Sequence, residues 1–389
     1  MASSQSSFRK RAKSEKESNT SLRTKKSSAY DPAFKQHLID HGVYPHEYNY
    51  NNDDGSVYPD NWEKINGRLA QPRPSLSPSR FPREEFRKFE KTNMQALTEN
   101  KVMSKVFPII AGTADILSQE NLQFENLKDL TDGSITKAQP DFYNGVCSEE
   151  LNKQVREELG PYIVPLTNKS APCLANFFME AKGPKGFTDV GKLQALYDGT
   201  IGARGTLKTQ LYIDSETAYD NKAYTITSTY HPNGLLTMYT THPTRSRDHR
   251  LSTEYHMTQL KAFAMTSDPE TFRQGATFLR NGRGLAEEER KKLITAVNAK
   301  ALNEGKSEFG SSTQSFLSQS TTEAAHLESE TLADELALDN GTYIRPTHRT
   351  PVGARMNPSP KISSNRRLKK KPVRVDRGSG TGYGGLQKI

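Results

Sequence analysis

Cysteine is nearly missing from this 389-residue chain, which has only Cys147 and Cys173. Two thiols build neither a disulfide framework nor a four-cysteine zinc site. Such sparse use fits a reducing, intracellular setting. Hydrophobic residues are also scarce, at 33% of the chain, with a mean hydropathy of −0.79. A packed domain usually runs nearer half apolar, so the composition predicts one folded domain of middling size with long disordered ends. No apolar run approaches the ~18 residues that span a bilayer, which excludes an integral membrane protein. The first ten residues are serine-rich and then basic, without the apolar stretch of a secretory signal. There is no internal repeat.

What is present is charge, and it is unevenly placed. Residues 1–28 hold eight Lys/Arg against two Glu, and residues 341–389 hold twelve against one Asp. The overall +9 therefore divides into +6 and +11 at the ends and −8 over residues 29–340. A uniformly basic DNA-binding domain would not be distributed this way. Arg9, Lys10, Arg11 and Lys13 cluster at the front, and Arg366, Arg367, Lys369, Lys370 and Lys371 at the back. The C-terminal cluster reads as a nuclear-localisation signal that engages an import receptor, or as a loose phosphate-binding tail.

Patterning divides the chain into a basic tail (1–29), a docking helix with an extended linker (30–84), a domain (85–305) and a Ser-rich, acidic, then basic tail (306–389). The docking helix covers 31–39, with Asp31 as cap, Pro32 in the first turn and Gly42 beyond its end. Helical character runs over 84–106 and again over 149–159. Residues 134–143 read as a strand entering a turn at Asn144-Gly145. Residues 174–182 are apolar on both faces, as in a central buried strand, until one face carries Glu180 and Lys182. A helix follows to Ile201, with Gln194 on its apolar stripe and a turn at 202–205. Asn233-Gly234 lies between two alternating segments and predicts a hairpin. Helices are expected at 254–265, 269–279 and 286–303.

One constellation has the residue types for phosphodiester chemistry. Glu180 and Lys182, two apart on a strand, project side by side, and Asp141 ends a neighbouring strand. Two carboxylates beside a lysine suit Mg²⁺, which takes one or two protein carboxylates plus water and phosphate oxygens. Pro140-Asp141 followed by Glu180-Ala181-Lys182 resembles the PD-(D/E)XK signature of restriction-endonuclease-like nucleases. The longer context, including 139–145, 178–184, 202–205 and 254–260, resembles an uncharacterised fungal family carrying such a domain. The resemblance implies an α/β fold with a central mixed sheet flanked by helices. It implies Asp141 and Glu180 as ligands of Mg²⁺, with Mn²⁺ as alternative, Lys182 as catalytic lysine and Gln194 as helical glutamine. Tyr197 falls one residue short of the Gln-X-X-X-Tyr spacing of some members, and Glu99 is the candidate for a glutamate from the first helix.

The function so implied is a nuclear, Mg²⁺-dependent nuclease acting on DNA. The competing reading is a catalytically inactive nucleic-acid- or protein-binding module on the same fold, and a third is a scaffold built on the tails. Taken alone, Glu180 and Lys182 would be an ordinary strand-end ion pair of under ~1 kcal/mol. Arg204 is a candidate for phosphate contact or for the end of its helix. Tyr224, Tyr230 and Tyr239 are candidates for stacking on bases. His231, His242, His249 and His256 fit no metal spacing, and neither cysteine has the partners of a nucleophile.

Overall fold

A computed structural model describes residues 26–46, 48, 57–168, 170–247 and 251–317, with side chains to residue 304. The chain forms α1 (Phe34–Asp40), β1 (Val43–Tyr44), α2 (Trp62–Leu69), α3 (Arg83–Gln95), α4 (Glu99–Lys101), a π-helical turn (Val102–Val106) and α5 (Phe107–Ala111). There follow β2 (Ser118–Glu120), β3 (Phe142–Val146), α6 (Lys153–Ile163), β4 (Cys173–Ala181) and α7 (Thr188–Ile213). The chain then continues through β5 (Thr225–His231), β6 (Leu235–Arg245), β7 (Thr253–Ala264) and α8 (Pro269–Leu317). The fold is α/β: one seven-stranded mixed sheet, ordered β1-β7-β6-β5-β4-β3-β2, flanked by helices. The β1–β7 and β4–β5 pairs are parallel and the rest antiparallel.

Two apolar layers cover the sheet. On one face Phe177, Met179, Ile226, Leu236 and Phe263 meet helices α2, α3, α5 and α8. On the other, Phe178, Tyr239, Tyr255 and Met257 meet α1, α7 and the 122–138 loop. This double cover explains why β4 is apolar on both sides. It also covers β7, expected as a helix, whose residues 254–258 are buried on both faces. Glu254, Tyr255, His256, Met257 and Thr258 alternate polar and apolar, which is a strand's period of two and not a helix's.

Several expectations are corrected. Residues 60–82 are no extended linker, because Ile65, Leu69, Leu76 and Phe81 lie in the main core. The described residues all belong to one compact unit, so the domain does not begin at 85. Residues 269–303 form one helix, not two, and it runs on past 306 to Leu317. The 149–159 helix lies at Lys153–Ile163, passing through Gly160 and Pro161. Residues 84–106 break into α3, α4 and the π turn. Asn144 and Gly145 lie inside β3, at a shift of register against β4, and make no turn. The docking helix starts at Phe34 with Ala33 as its cap, while the Asp31 carboxylate accepts from the Ser28 N–H. Residues 202–205 continue α7. The Asn233-Gly234 hairpin forms as expected, between β5 and β6. The basic clusters at 9–13 and 366–371 lie outside the described residues.

Helix α7 approaches the sheet closely because Gly202 faces it. A Cβ there would stand 2.7 Å from Phe178 Cε2 and 3.0 Å from the Ala175 carbonyl oxygen. Gly284, in the middle of α8, has nothing within 4 Å of the same point. Gly202→Ala should therefore destabilise the protein by about 1–3 kcal/mol through overpacking. Gly284→Ala should stabilise it by about 0.5–1 kcal/mol through helix propensity. Urea denaturation of the two variants checks this, and equal midpoints would contradict it.

Candidate active site

The crossover from β4 through α7 to parallel β5 brings the reactive side chains together. Asp141 immediately precedes β3, beside the C-terminal end of antiparallel β4, where Glu180 and Lys182 emerge. The two strands lock their acids in place. Asp141 Oδ2 accepts from the Ala181 N–H at 2.8 Å, and Glu180 Oε1 from the Asp141 N–H at 3.2 Å. The Lys182 N–H donates to the Tyr230 carbonyl, tying the end of β4 to β5. Glu99 arrives from α4, because Gly183 has no side chain: a Cβ there would lie 3.0 Å from the Glu99 backbone nitrogen.

Lys182 Nζ is the centre of the cluster. It stands 3.3 Å from Glu99 Oε2, 3.5 Å from Glu180 Oε2 and 3.7 Å from Asp141 Oδ2. Its side chain is 4% exposed, Glu180 1% and Asp141 17%, while Glu99 at 39% reaches solvent. Burial alone would lower the lysine's pKa, but Glu180, Asp141 and Glu99 hold it above its ordinary value. An ion pair this buried is no ordinary strand-end pair, since an unpaired member would be costly.

Asp198 is a further member that the sequence reading passed over. It lies on α7 one turn beyond Gln194, is 2% exposed, and sits within hydrogen-bonding reach of Glu180. Its signal was the i,i+4 spacing from Gln194. Burial raises the Asp198 carboxyl to about 7. Burial, then the charges of Asp198 and Asp141, drive Glu180 well above the carboxylate range. Asp141 is raised too, mainly by burial, with Lys182 opposing. Two carboxyl groups this close share a proton, because both cannot be ionised without a cation.

A cavity of about 350 Å³ opens on the acids of this cluster, with Lys182 behind them and lining a second cavity beside Thr188 and Asp189. Glu99, Asp141, Glu180, Gln194, Tyr197 and Asp198 line the first, and Tyr30 and Phe34 of the N-terminal arm close one side. No hydrogen-bond donor meets Glu180 Oε2, Gln194 Oε1 or Asp198 Oδ2 in good geometry, and Glu180 Oε2 has only the Lys182 ammonium at 3.5 Å. Buried hard oxygens with so little compensation suit a divalent cation of the Mg²⁺ class. The carboxylates are spaced around the ammonium and not closed on a point. Asp141 and Glu180 are the carboxylates of this cavity that could hold such an ion.

The sequence candidates Asp141, Glu180, Lys182, Gln194 and Glu99 are therefore brought to one place, and Tyr197 joins them. Others are not. Arg204 is buried, with Nη1 and Nη2 donating to the carbonyls of Asp129 and Lys128, so it braces a loop and neither meets phosphate nor caps a helix. Tyr230 and Tyr239 are buried, which removes them as base-stacking platforms; Tyr224 is half-buried and its hydroxyl donates to Asp220, away from the acidic cluster. Cys173 is buried, and its thiol is pushed up to about 11 by desolvation, away from nucleophilic use. Comparison with protein-family models, curated proteins and solved structures gives no match to this chain, so the role of the site rests on its own chemistry.

Proposed function

We propose that this protein is a metal-dependent phosphodiesterase with a restriction-endonuclease-like core, acting on DNA. The observation that carries the reading is the Lys182 ammonium, held within 3.7 Å of three carboxylates beside a cavity with orphaned acidic oxygens. The order β3–β4–α7–β5 supports the fold assignment: an antiparallel pair delivers Asp141 and Glu180, and a helix crosses over to a parallel strand.

Asp141 and Glu180 would hold Mg²⁺ or Mn²⁺. When bound, the ion supplies charge neutralisation at the phosphate and acidifies a water. Lys182 orients the attacking water and stabilises charge developing on the phosphoryl oxygens. Asp198 accepts the proton that Glu180 gives up as Glu180 ionises, and the Gln194 amide orients a ligand in the cavity. The basic tails supply sequence-independent phosphate contacts, and Arg366, Arg367, Lys369, Lys370 and Lys371 engage an import receptor for the nucleus.

The test is full-length protein with single- and double-stranded DNA, with and without Mg²⁺ or Mn²⁺, beside Lys182→Ala. The expected result is cleavage only with metal, lowered at least ~10²-fold in the variant. Intact DNA that is still bound in a salt-sensitive way would instead select the inactive binding module, a reading favoured by the −8 charge of residues 29–340.

A further inference from the structure

Outside the cavity, one cluster joins a carboxylate to two imidazoles, a ligand type that the site just described does not use. His37 on α1 and His41, the residue that caps its C-terminus, lie four apart, with ring centroids 4.3 Å from each other. Asp132, from the loop between β2 and β3, places Oδ1 3.5 Å from His37 Nε2. One ligand atom from each of the three lies within 4.8 Å of the other two. Among the described residues, no other set of three His, Cys, Asp or Glu side chains does this. We propose that His37, His41 and Asp132 form a site for a borderline transition-metal dication, Zn²⁺ in the first place, which clips the N-terminal arm to the 118–138 loop.

The surroundings orient the ligands. His41 Nδ1 is 2.8 Å from the His37 carbonyl oxygen. A carbonyl only accepts, so Nδ1 carries the hydrogen and Nε2 keeps its lone pair for a metal. A backbone carbonyl on the second ring nitrogen is the usual arrangement around a ligating imidazole. The Ser134 N–H donates to Asp132 Oδ1 at 3.0 Å, fixing the carboxylate, and Ser134 Oγ lies 3.4 Å from His37 Nε2. Two imidazoles and one carboxylate select zinc-like ions over Mg²⁺, which prefers oxygen alone. With Zn–N near ~2.0–2.1 Å, tetrahedral ligands stand about 3.4 Å apart. Small side-chain rotations close the observed spacing, and the fourth position falls to water.

Both backbones are already placed. Phe34 and Leu38, on the inner face of α1, are buried in the core. The loop is braced by Arg204 and by the parallel bridge between Ser27 and Ile135. The ion would therefore fasten the two segments that wall the cavity, Tyr30 and Phe34 from one and Thr136 and Gln139 from the other.

The experiment titrates the full chain with Zn²⁺ by calorimetry and with Co²⁺ by visible absorption. The expected result is one zinc per chain, a Co²⁺ spectrum of low coordination number, and a zinc-dependent rise in melting temperature. Glu180→Gln should leave all three unchanged, which separates this site from the carboxylate cavity. His41→Ala and Asp132→Asn should each weaken zinc at least ~10-fold. Asp132 is half-exposed on a loop, so its variant keeps the test valid if the His41 variant does not fold. Zinc bound equally by wild type and Asp132→Asn would overturn the proposal, as would no binding at micromolar zinc. No activity is measured, so failure here leaves the phosphodiesterase reading standing.

Discussion

Glu180→Gln is expected to lower metal-dependent DNA cleavage by about 10³-fold or more and, in the same protein, to raise the stability of the metal-free form. The loss follows from the site. Glu180 is one of two carboxylates offered to the ion, and a neutral amide neither binds a hard dication nor balances Lys182. The gain follows from burial. Glu180 is 1% exposed, faces Asp198 and Asp141, and has Oε2 without a hydrogen bond. Its pKa is raised in the folded state, so above the unfolded carboxylate value folding must retain a proton that the unfolded chain releases. Stability is therefore lost as pH climbs from about 4.5 toward the folded pKa. Glutamine has no such cost. At pH 7 the variant should be more stable by about 1–3 kcal/mol, with the difference vanishing near pH 4. Adding Mg²⁺ should stabilise wild type and not the variant. Thermal melts at pH 4 and 7, with and without Mg²⁺, check this. A variant less stable than wild type at pH 7 would mean that Glu180 is a structural ion pair and that the cluster stores no strain for a cation.

A second large effect is expected in the opposite direction of pH. His242 is 0% exposed, and neither of its ring nitrogens has a hydrogen-bond partner. His256 packs beside it, ring centroids 5.3 Å apart, with its other face against Tyr44. Burial lowers His242 to about 4 and His256 to about 3, and His242 further opposes charge on His256. Below about 6.5 the unfolded chain takes up protons that the folded chain refuses, so stability falls as pH drops from about 6.5 to about 4. At 1.36 kcal/mol per unit, His242 alone accounts for about 3 kcal/mol of that loss. The Glu180–Asp198 pair pulls the other way over the same range, so wild type shows only the difference. His242→Leu removes one arm. Urea midpoints at pH 7.0 and 4.5 should then fall much less than in wild type. An unchanged pH slope would mean that the buried pair is not what titrates.

The contrast between these two clusters shows what could be read in the chain and what could not. The low apolar content led to the expectation of one domain, and the α/β class came from the resemblance carried by Asp141, Glu180 and Lys182. The Asn233-Gly234 hairpin and the apolar β4 strand were legible because turns and two-sided burial leave local marks. Glu180, two residues before Lys182 on that strand, was legible too, since a strand's period of two places both side chains on one face. The identity of β7 was legible in the polar–apolar alternation of residues 254–258, which the helix expectation overlooked. The single helix α8 was not legible, nor was the place of residues 60–82 in the core. Asp198 became a site residue only when α7 laid itself against β4, and His37 met Asp132 only when the 118–138 loop folded over α1. Those meetings join residues 18 to 95 positions apart in the chain. No local propensity encodes them. They arise because a helix must bury its apolar stripe against a particular sheet face, and that choice is made by the tertiary fold.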